Sequence, residues 1–358
     1  MKQTIFRLTL VLFVFISAFS CSNKPERSRK PVSIISVEPQ KKNYRFGEEV
    51  TVQVKTKLRN GEIQNIKLLY NGELIKESSE LDFTVSGVKL NKLGTVSFSA
   101  VATKTDDVEN TRNQSITVLS DTEAQKYTYK TVESYPHNTT FYTQGLEYYQ
   151  GFLYEGTGEN GKSGLFKTNL SDGKILNSYF LPEKYFGEGI TIFNDRIYQL
   201  TYHAQKGFVY NLSDFALVDS FQYRQKQGWG LTNDGKHLIM SDGTNMLTWL
   251  NPDDYSVVKT LQVANNRGVV GNLNELEFIN GSLFANVYTT DLLVEIEPET
   301  GKVISEINLS GIVNMFRKPN EKIDYLNGIA WDAEKNRMFV TGKWWPQIFQ
   351  IELVPESK

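Results

Sequence analysis

Glu188 stands between two glycines in the run YFGEGITIF, Tyr185 to Phe193, at the entrance to an otherwise apolar strand. A carboxylate carried into such a strand costs several kcal/mol unless it is paired or used. Glu188 is therefore either a solvated turn residue or a placed functional group. Four other segments open in a similar way: QGLEYY at Gln144, WGLTND at Trp229, NELEFI at Asn274 and NGIAWD at Asn327. Of the five leading residues, Glu188 alone is an acid. Aromatic residues fall at or next to corresponding positions, namely Tyr142, Phe186, Trp229, Tyr202 and Tyr288. An apolar, aromatic wall with a few convergent polar groups is the usual character of a small-ligand pocket. A ring of polar residues around ordered water would account for the Gln and the two Asn, but less well for a lone carboxylate among aromatics.

The spacing of these openings defines the elements that carry them. Their second residues are 145, 189, 230, 275 and 328, so the steps are 44, 41, 45 and 53, the last lengthened by the loop GIVNMFRKPNEKIDY. After each opening comes a second strand (FLYEGTG, RIYQLTY, HLIMSDG, SLFANVY, RMFVTGK) and a third (GLFKTNL, GFVYNL, MLTWLNP, LVEIEP, IFQIEL). A fourth ends four of the units: ILNSYFL, LVDSFQY, VVKTLQV and VISEINL. Four strands repeated at this interval describe β-propeller blades. The fifth unit lacks its fourth strand, and the earlier run YTYKTVESY is expected to supply it and close the ring, removing exposed edges. First strands line the central channel of such a fold, so the five leading residues would ring one of its mouths. The glycines are expected to let backbone and a small substrate approach closely.

The remaining chain is read as a leader, a tether and a second all-β module. Lys2 and Arg7 precede the apolar run LTLVLFVFISAF, too short to span a bilayer comfortably, which ends at AFSCSN. Cys21, the single cysteine of the 358 residues, stands where a bacterial lipoprotein signal carries its lipid. Residues 1–21 are thus read as a lipoprotein signal peptide and 22–31 as a polar, basic tether. Short alternating strands between turns over 32–119 resemble an immunoglobulin-like sandwich, with 120–126 as linker and 127–354 as the five-bladed propeller. The expected location is exported and lipid-anchored, facing periplasm or cell exterior. A net charge of -2 gives no electrostatic case for nucleic acid. Three histidines without metal-ligand spacing argue against a dedicated zinc site, so no metal and no cofactor is expected. A monomer is expected.

The motifs FYTQGLEY, LYEGTGENGKSGLFK, YFGEGITIFNDRIYQLTY, GWGLTNDGKHLIMSDGT, NLNELEFINGSLFANVYTTD and LNGIAWDAEKNRMFVTGKWWP together resemble the plant-type glutamine cyclotransferase family. The resemblance runs from about Tyr127 to Leu353. It implies a five-bladed propeller that converts an N-terminal glutaminyl residue to pyroglutamate with release of ammonia. Carried over by motif, the family's pocket corresponds to Tyr142, Gln144, Phe186, Glu188, Trp229, Asn274 and Lys343. Tyr202 and Tyr288 stand where plant members commonly have Trp, and PHNTTFYTQG replaces a more usual His-Asp-Pro run and an aromatic Phe. Glu188 and Lys343 are then the expected catalytic pair, the acid moving the proton and the lysine stabilising the oxyanion. The implied partners are peptides or proteins that begin in Gln, together with a membrane reached through the lipid anchor.

Several side chains compete with this assignment. Glu155 in YEGTG and Asn327 are read as supporting residues behind the pocket, Glu155 also as an alternative holder of the substrate amine. Lys343 could be a rim charge, Trp344 and Trp345 could pack between blades, and Asp242 fits a turn better than catalysis. Glu275 replaces the Gly of the other openings and is expected to face an adjacent blade. Two other functions compete: a propeller lipoprotein that binds peptide or glycan without turnover, and a metal-dependent lactonase or esterase. The latter would need a convergent carboxylate and Asn set around a cation, and among the five openings only Glu188 supplies an acid at the leading position.

Overall fold

The computed structural model describes residues 27–316 and 322–356. The leader read over 1–21, with Cys21, and the first part of the tether lie outside the described residues. Apart from a short 3-10 turn at Ile312–Met315, the regular elements of the described chain are β-strands.

Two sheets form the N-terminal part. One orders Val32–Glu38, Glu49–Lys57 and Asp82–Lys89. The other orders Tyr44–Arg45, Glu109–Leu119, Gly94–Lys104, Ile63–Tyr70 and Glu73–Ser78. Period-two alternation builds their shared core: Val50, Val52 and Val54 point inward from one sheet, and Val96, Phe98, Ala100 and Ala102 from the other. Strand Glu73–Ser78 buries no residue, and Asp82–Lys89 alternates only from Phe83 to Val85 before the pattern breaks ahead of Val88.

The rest of the chain folds into antiparallel quartets. The first holds Thr143–Tyr149, Phe152–Thr157, Gly164–Thr168 and Ile175–Phe180; the second holds Gly187–Phe193, Arg196–Thr201, Lys206–Asn211 and Leu217–Gln222. The third holds Leu231–Asn233, Leu238–Ser241, Met246–Leu250 and Val257–Gln262. An eight-stranded sheet contains a fourth quartet, Leu273–Ile279, Ser282–Val287, Leu292–Ile296 and Val303–Asn308. It continues through Gln125–Pro136 into Gln347–Pro355, Arg337–Gly342 and Leu326–Asp332. Gln125–Pro136 therefore completes the last set of strands from the other end of the sequence, pairing antiparallel with Gln347–Pro355. Burial falls across the first three quartets: Gly187–Phe193 is buried nearly throughout, whereas Leu217–Gln222 is mostly exposed; in the fourth, Val303–Asn308 stays mostly buried. The first strands touch one another in cyclic order, with Leu326–Asp332 returning to Thr143–Tyr149.

Local irregularity at the openings aims the functional residues. The ladder slips between Thr143 and Gly145, Gly187 and Ile190, Leu273 and Leu276, and Leu326 and Ile329. Gln144, Glu188, Asn274 and Asn327 sit in these slips. A bulge leaves a residue out of the ladder and re-aims its side chain. The glycine that follows serves a neighbour's backbone. A Cβ at Gly230 would stand 2.0 Å from the Asn274 carbonyl oxygen, and one at Gly189 would stand 2.5 Å from that of Trp229. At Gly145, Gly189 and Gly230 one opening is thus seated against the next.

Candidate active site

One cavity of about 260 Å³ is lined by Glu188 and Lys343, by Gln144 and Asn274, and by Tyr142, Phe186, Tyr202, Trp229 and Tyr288. All nine were singled out as catalytic or substrate-binding from the sequence. A larger cleft of about 550 Å³, at the junction with the N-terminal sheets near Lys92 and Gln262, contains none of them.

The aromatic residues form a continuous wall. Ring centroids are 6.2 Å apart for Tyr142 and Phe186, 5.7 Å for Phe186 and Tyr202, 6.4 Å for Tyr202 and Trp229, and 5.4 Å for Trp229 and Tyr288. Edge-on contacts at 89° and 88° close its two ends. Two further aromatics extend it. Tyr325 lies 5.3 Å from Tyr288, and the half-buried Trp344 lies 4.7 Å from Tyr142. Trp345 instead packs in the core on Phe316 and Phe349. Tyr325 and its neighbour Asp324, whose Oδ2 accepts the Tyr142 hydroxyl at 3.3 Å, were missed by the sequence reading. They precede the fifth opening at the end of its long loop, where no repeat marks them.

The polar groups meet through Gln144. Its Nε2 donates to Glu188 Oε1 at 3.1 Å, and its Oε1 accepts from Lys343 Nζ. Lys343 Nζ also donates to the Thr143 carbonyl at 2.9 Å and lies 4.4 Å from the centroid of the Tyr142 ring. Glu188 is 3% exposed and Lys343 1%, so Lys343 is not a rim charge. Burial pushes the Glu188 carboxyl well above the usual carboxylate range, and the Lys343 ammonium partly opposes this. Burial likewise pushes Lys343 down to about 8, against the pull of Glu188, Asp324 and Glu275. Asn274 Oδ1 is buried without a hydrogen-bond partner among the described residues, an acceptor facing no donor.

The competing residues have other employment. Glu155 accepts from Thr143 Oγ1 at 2.7 Å and meets His137 Nε2 at 3.0 Å, behind the Thr143 backbone. Asn327 Nδ2 donates to the Thr143 carbonyl at 3.1 Å and to Gln144 Oε1 at 3.3 Å, bracing Gln144 from outside the cavity lining. Glu275 accepts the backbone N–H groups of Leu146 and Ile329, in two other first strands. Asp242 closes a turn by accepting from the backbone N–H and hydroxyl of Thr244. Among the described residues no three His, Cys, Asp or Glu side chains gather as a metal-ligand group.

Comparison with known proteins identifies the family. A glutamine cyclotransferase family model matches residues 97–353, starting within the strand Gly94–Lys104. A glutaminyl-peptide cyclotransferase of Arabidopsis thaliana is 40% identical over 228 residues, covering 63% of this chain and 71% of that protein. The crystal structure of Myxococcus xanthus glutaminyl cyclase superposes with a TM-score of 0.61 at 32% identity, covering 66% of this chain and all of that one. The chain belongs to the glutamine cyclotransferase family.

Proposed function

We propose that this chain is a glutaminyl-peptide cyclotransferase that turns N-terminal glutaminyl residues into pyroglutamate with release of ammonia, by a metal-independent acid–base mechanism. One observation carries the reading. Lys343 and Glu188 already hold a primary carboxamide, that of Gln144, with its oxygen on the cation and its nitrogen on the acid. The substrate's γ-carboxamide needs the same two partners in the same sense: a donor on the oxygen that becomes an oxyanion, and an acid beside the nitrogen that leaves.

The steps follow from this pairing. A substrate α-amine titrates near 8 and arrives largely protonated. Glu188, whose carboxyl is raised by burial above the ordinary carboxylate range, accepts a proton from it. The freed amine nitrogen bonds to the carboxamide carbon, and the carbonyl electrons move onto oxygen. Lys343 stabilises that oxyanion. Glu188 returns the proton to the amide nitrogen, the oxyanion re-forms the carbonyl as the C–N bond breaks, and the ring nitrogen gives up its second hydrogen through Glu188 to the departing ammonia, which leaves as ammonium from the closed, neutral lactam. Asn274 Oδ1 supplies the acceptor for an N–H of the bound residue. The aromatic wall folds the glutamine side chain back on its amine, and orientation of this kind contributes as much as proton transfer.

The same reading takes the quartets as the blades of a five-bladed propeller, residues 127–354, with an immunoglobulin-like sandwich over 32–119. Residues 1–21 would be the lipoprotein signal, Cys21 the lipid-bearing residue, and the enzyme would face periplasm or cell exterior. The alternation of the N-terminal strands and the cyclic contacts of the first strands support the architecture. The leading test is direct. The purified chain, with a Gln-initiated peptide and with or without chelator, should release ammonia and give the cyclised peptide by mass spectrometry. No product between mild acid and mild base would leave a binding protein; loss of activity in chelator would remove the metal-free mechanism.

A further inference from the structure

Behind the cavity lies a buried ion pair that the mechanism above does not use. His137 and Glu155 expose 3% and 2% of their side chains, and His137 Nε2 stands 3.0 Å from Glu155 Oε2. The other ring nitrogen, Nδ1, lies 2.6 Å from the carbonyl oxygen of Trp345. A carbonyl only accepts, so Nδ1 carries a hydrogen; Nε2 faces a carboxylate and shares a second proton with it. Glu155 Oε1 accepts from Thr143 Oγ1 at 2.7 Å. The carbonyl of that same Thr143 accepts from Lys343 Nζ at 2.9 Å.

These contacts form a closed circuit. From Lys343 the chain runs two residues to Trp345, whose carbonyl meets His137; His137 meets Glu155, Glu155 meets Thr143, and Thr143 meets Lys343 again. The circuit spans three separate parts of the chain: the segment after Gln125–Pro136, the first quartet and the last strands. It also encloses the bulge at Thr143. That bulge frees the Thr143 carbonyl and aims Gln144 at Glu188. A bulge can relax unless its neighbours hold it, and a fully satisfied buried polar network is rigid.

We propose that His137, Glu155 and Thr143 form a positioning unit that holds the Thr143 bulge and thereby sets where Lys343 and Gln144 stand relative to Glu188. None of the three side chains lines the cavity; they act through Lys343 and Gln144, and the inference rests on the reading of those groups as the active site. Misplacing a reacting group by about 1 Å costs on the order of 100-fold in rate. Release of the circuit should therefore appear in kcat rather than in KM, which the aromatic wall governs.

The test uses the full chain with Thr143→Val, Thr143→Ser, His137→Gln and the Thr143→Val/His137→Gln double variant. Thr143→Val removes the hydroxyl and keeps the shape, and Thr143→Ser keeps the hydroxyl. With a Gln-initiated peptide, Thr143→Val and His137→Gln should each lower kcat about 10- to 100-fold with KM within about threefold. Thr143→Ser should recover kcat to within about threefold of wild type. The double variant should lose no more than the worse single one, because both break the same circuit. Folded Thr143→Val and His137→Gln proteins with wild-type kcat, or losses that multiply, would overturn the inference. Should Thr143→Val fail to fold, Glu155→Gln replaces it with the same expectation. If the wild-type chain cyclises nothing, the functional reading fails first, and crystal structures decide the positioning role separately. Lys343 Nζ leaving the residue-143 carbonyl in the variant supports it, and an unmoved Lys343 and Gln144 refute it.

Discussion

Glu188→Gln should cripple the enzyme and stabilise the fold at once. The substitution keeps shape and keeps an acceptor for Gln144 Nε2, which donates to Glu188 Oε1 at 3.1 Å in the native chain. What it removes is the exchangeable proton, and general acid–base help of this kind is worth about 10²–10⁴-fold. Turnover should fall by that factor, about 3–5 kcal/mol of barrier. Lys343 would also lose the strongest of the charges that oppose its desolvation, leaving less ammonium at neutral pH to meet the oxyanion. The stability sign is opposite. The Glu188 carboxyl is raised by burial, so its contribution is fully present below the unfolded value of 4.5 and is lost as pH rises through the folded value. At pH 7 the native acid therefore costs stability that a neutral amide does not. Each tenfold change in its acid dissociation constant is worth about 1.4 kcal/mol, or roughly 3–6 °C in Tm for a domain of this size. Ammonia release by a coupled assay and melting at pH 7 measure the two effects. Near-native turnover, or a large drop in Tm with the loss of activity, would refute the reasoning.

Three other outcomes are expected. The rate should be bell-shaped in pH, failing in acid as Glu188 becomes protonated and failing again as Lys343 loses its proton near 8; Lys343→Arg, with lower kcat, should lose the alkaline limb. Gly230→Ala should cost about 3 kcal/mol or more, read as a Tm drop of about 6 °C or more, because its Cβ meets the Asn274 carbonyl at 2.0 Å. Glu277→Gln should gain stability over wild type as pH rises from 5 to 9, since burial raises the Glu277 carboxyl well above 4.5 and its stabilising effect is lost through that range. A wild-type minus variant difference in Tm that does not change with pH would contradict this last point.

Residue type and spacing made the pocket legible because the openings share local features. Gln144, Glu188, Asn274 and Asn327 sit in bulges, and the glycines after Gln144, Glu188 and Trp229 abut the next opening, so these residues leave marks at about the same interval in the chain. The second, third and fourth strands were legible from alternation and turns. Three things were not. Asp324 and Tyr325 reach the rim from a loop outside the repeat. His137 meets Glu155 across 18 residues and Trp345 across 208, so no local pattern reveals the circuit. Strand Glu73–Ser78 has no buried residue, and the alternation of Asp82–Lys89 breaks between Val85 and Val88.

Glu188 is one acid among several near the first strands, and the structure separates them by what their oxygens touch. Glu147 accepts the backbone N–H of Ile192, Glu277 that of Trp331, and Glu275 those of Leu146 and Ile329. Each of these acids latches one first strand to another, and a proton moved on or off it would disturb the packing of the ring. Glu155 is held by Thr143 and His137. Glu188 accepts from the side chain of Gln144 and, among the described residues, from no backbone donor. It alone of the five faces the aromatic cavity. A carboxyl group can change protonation in every catalytic cycle only if the fold does not depend on its charge. By that criterion the proposed proton transfer falls to Glu188, and the other acids keep the strands that aim it in place.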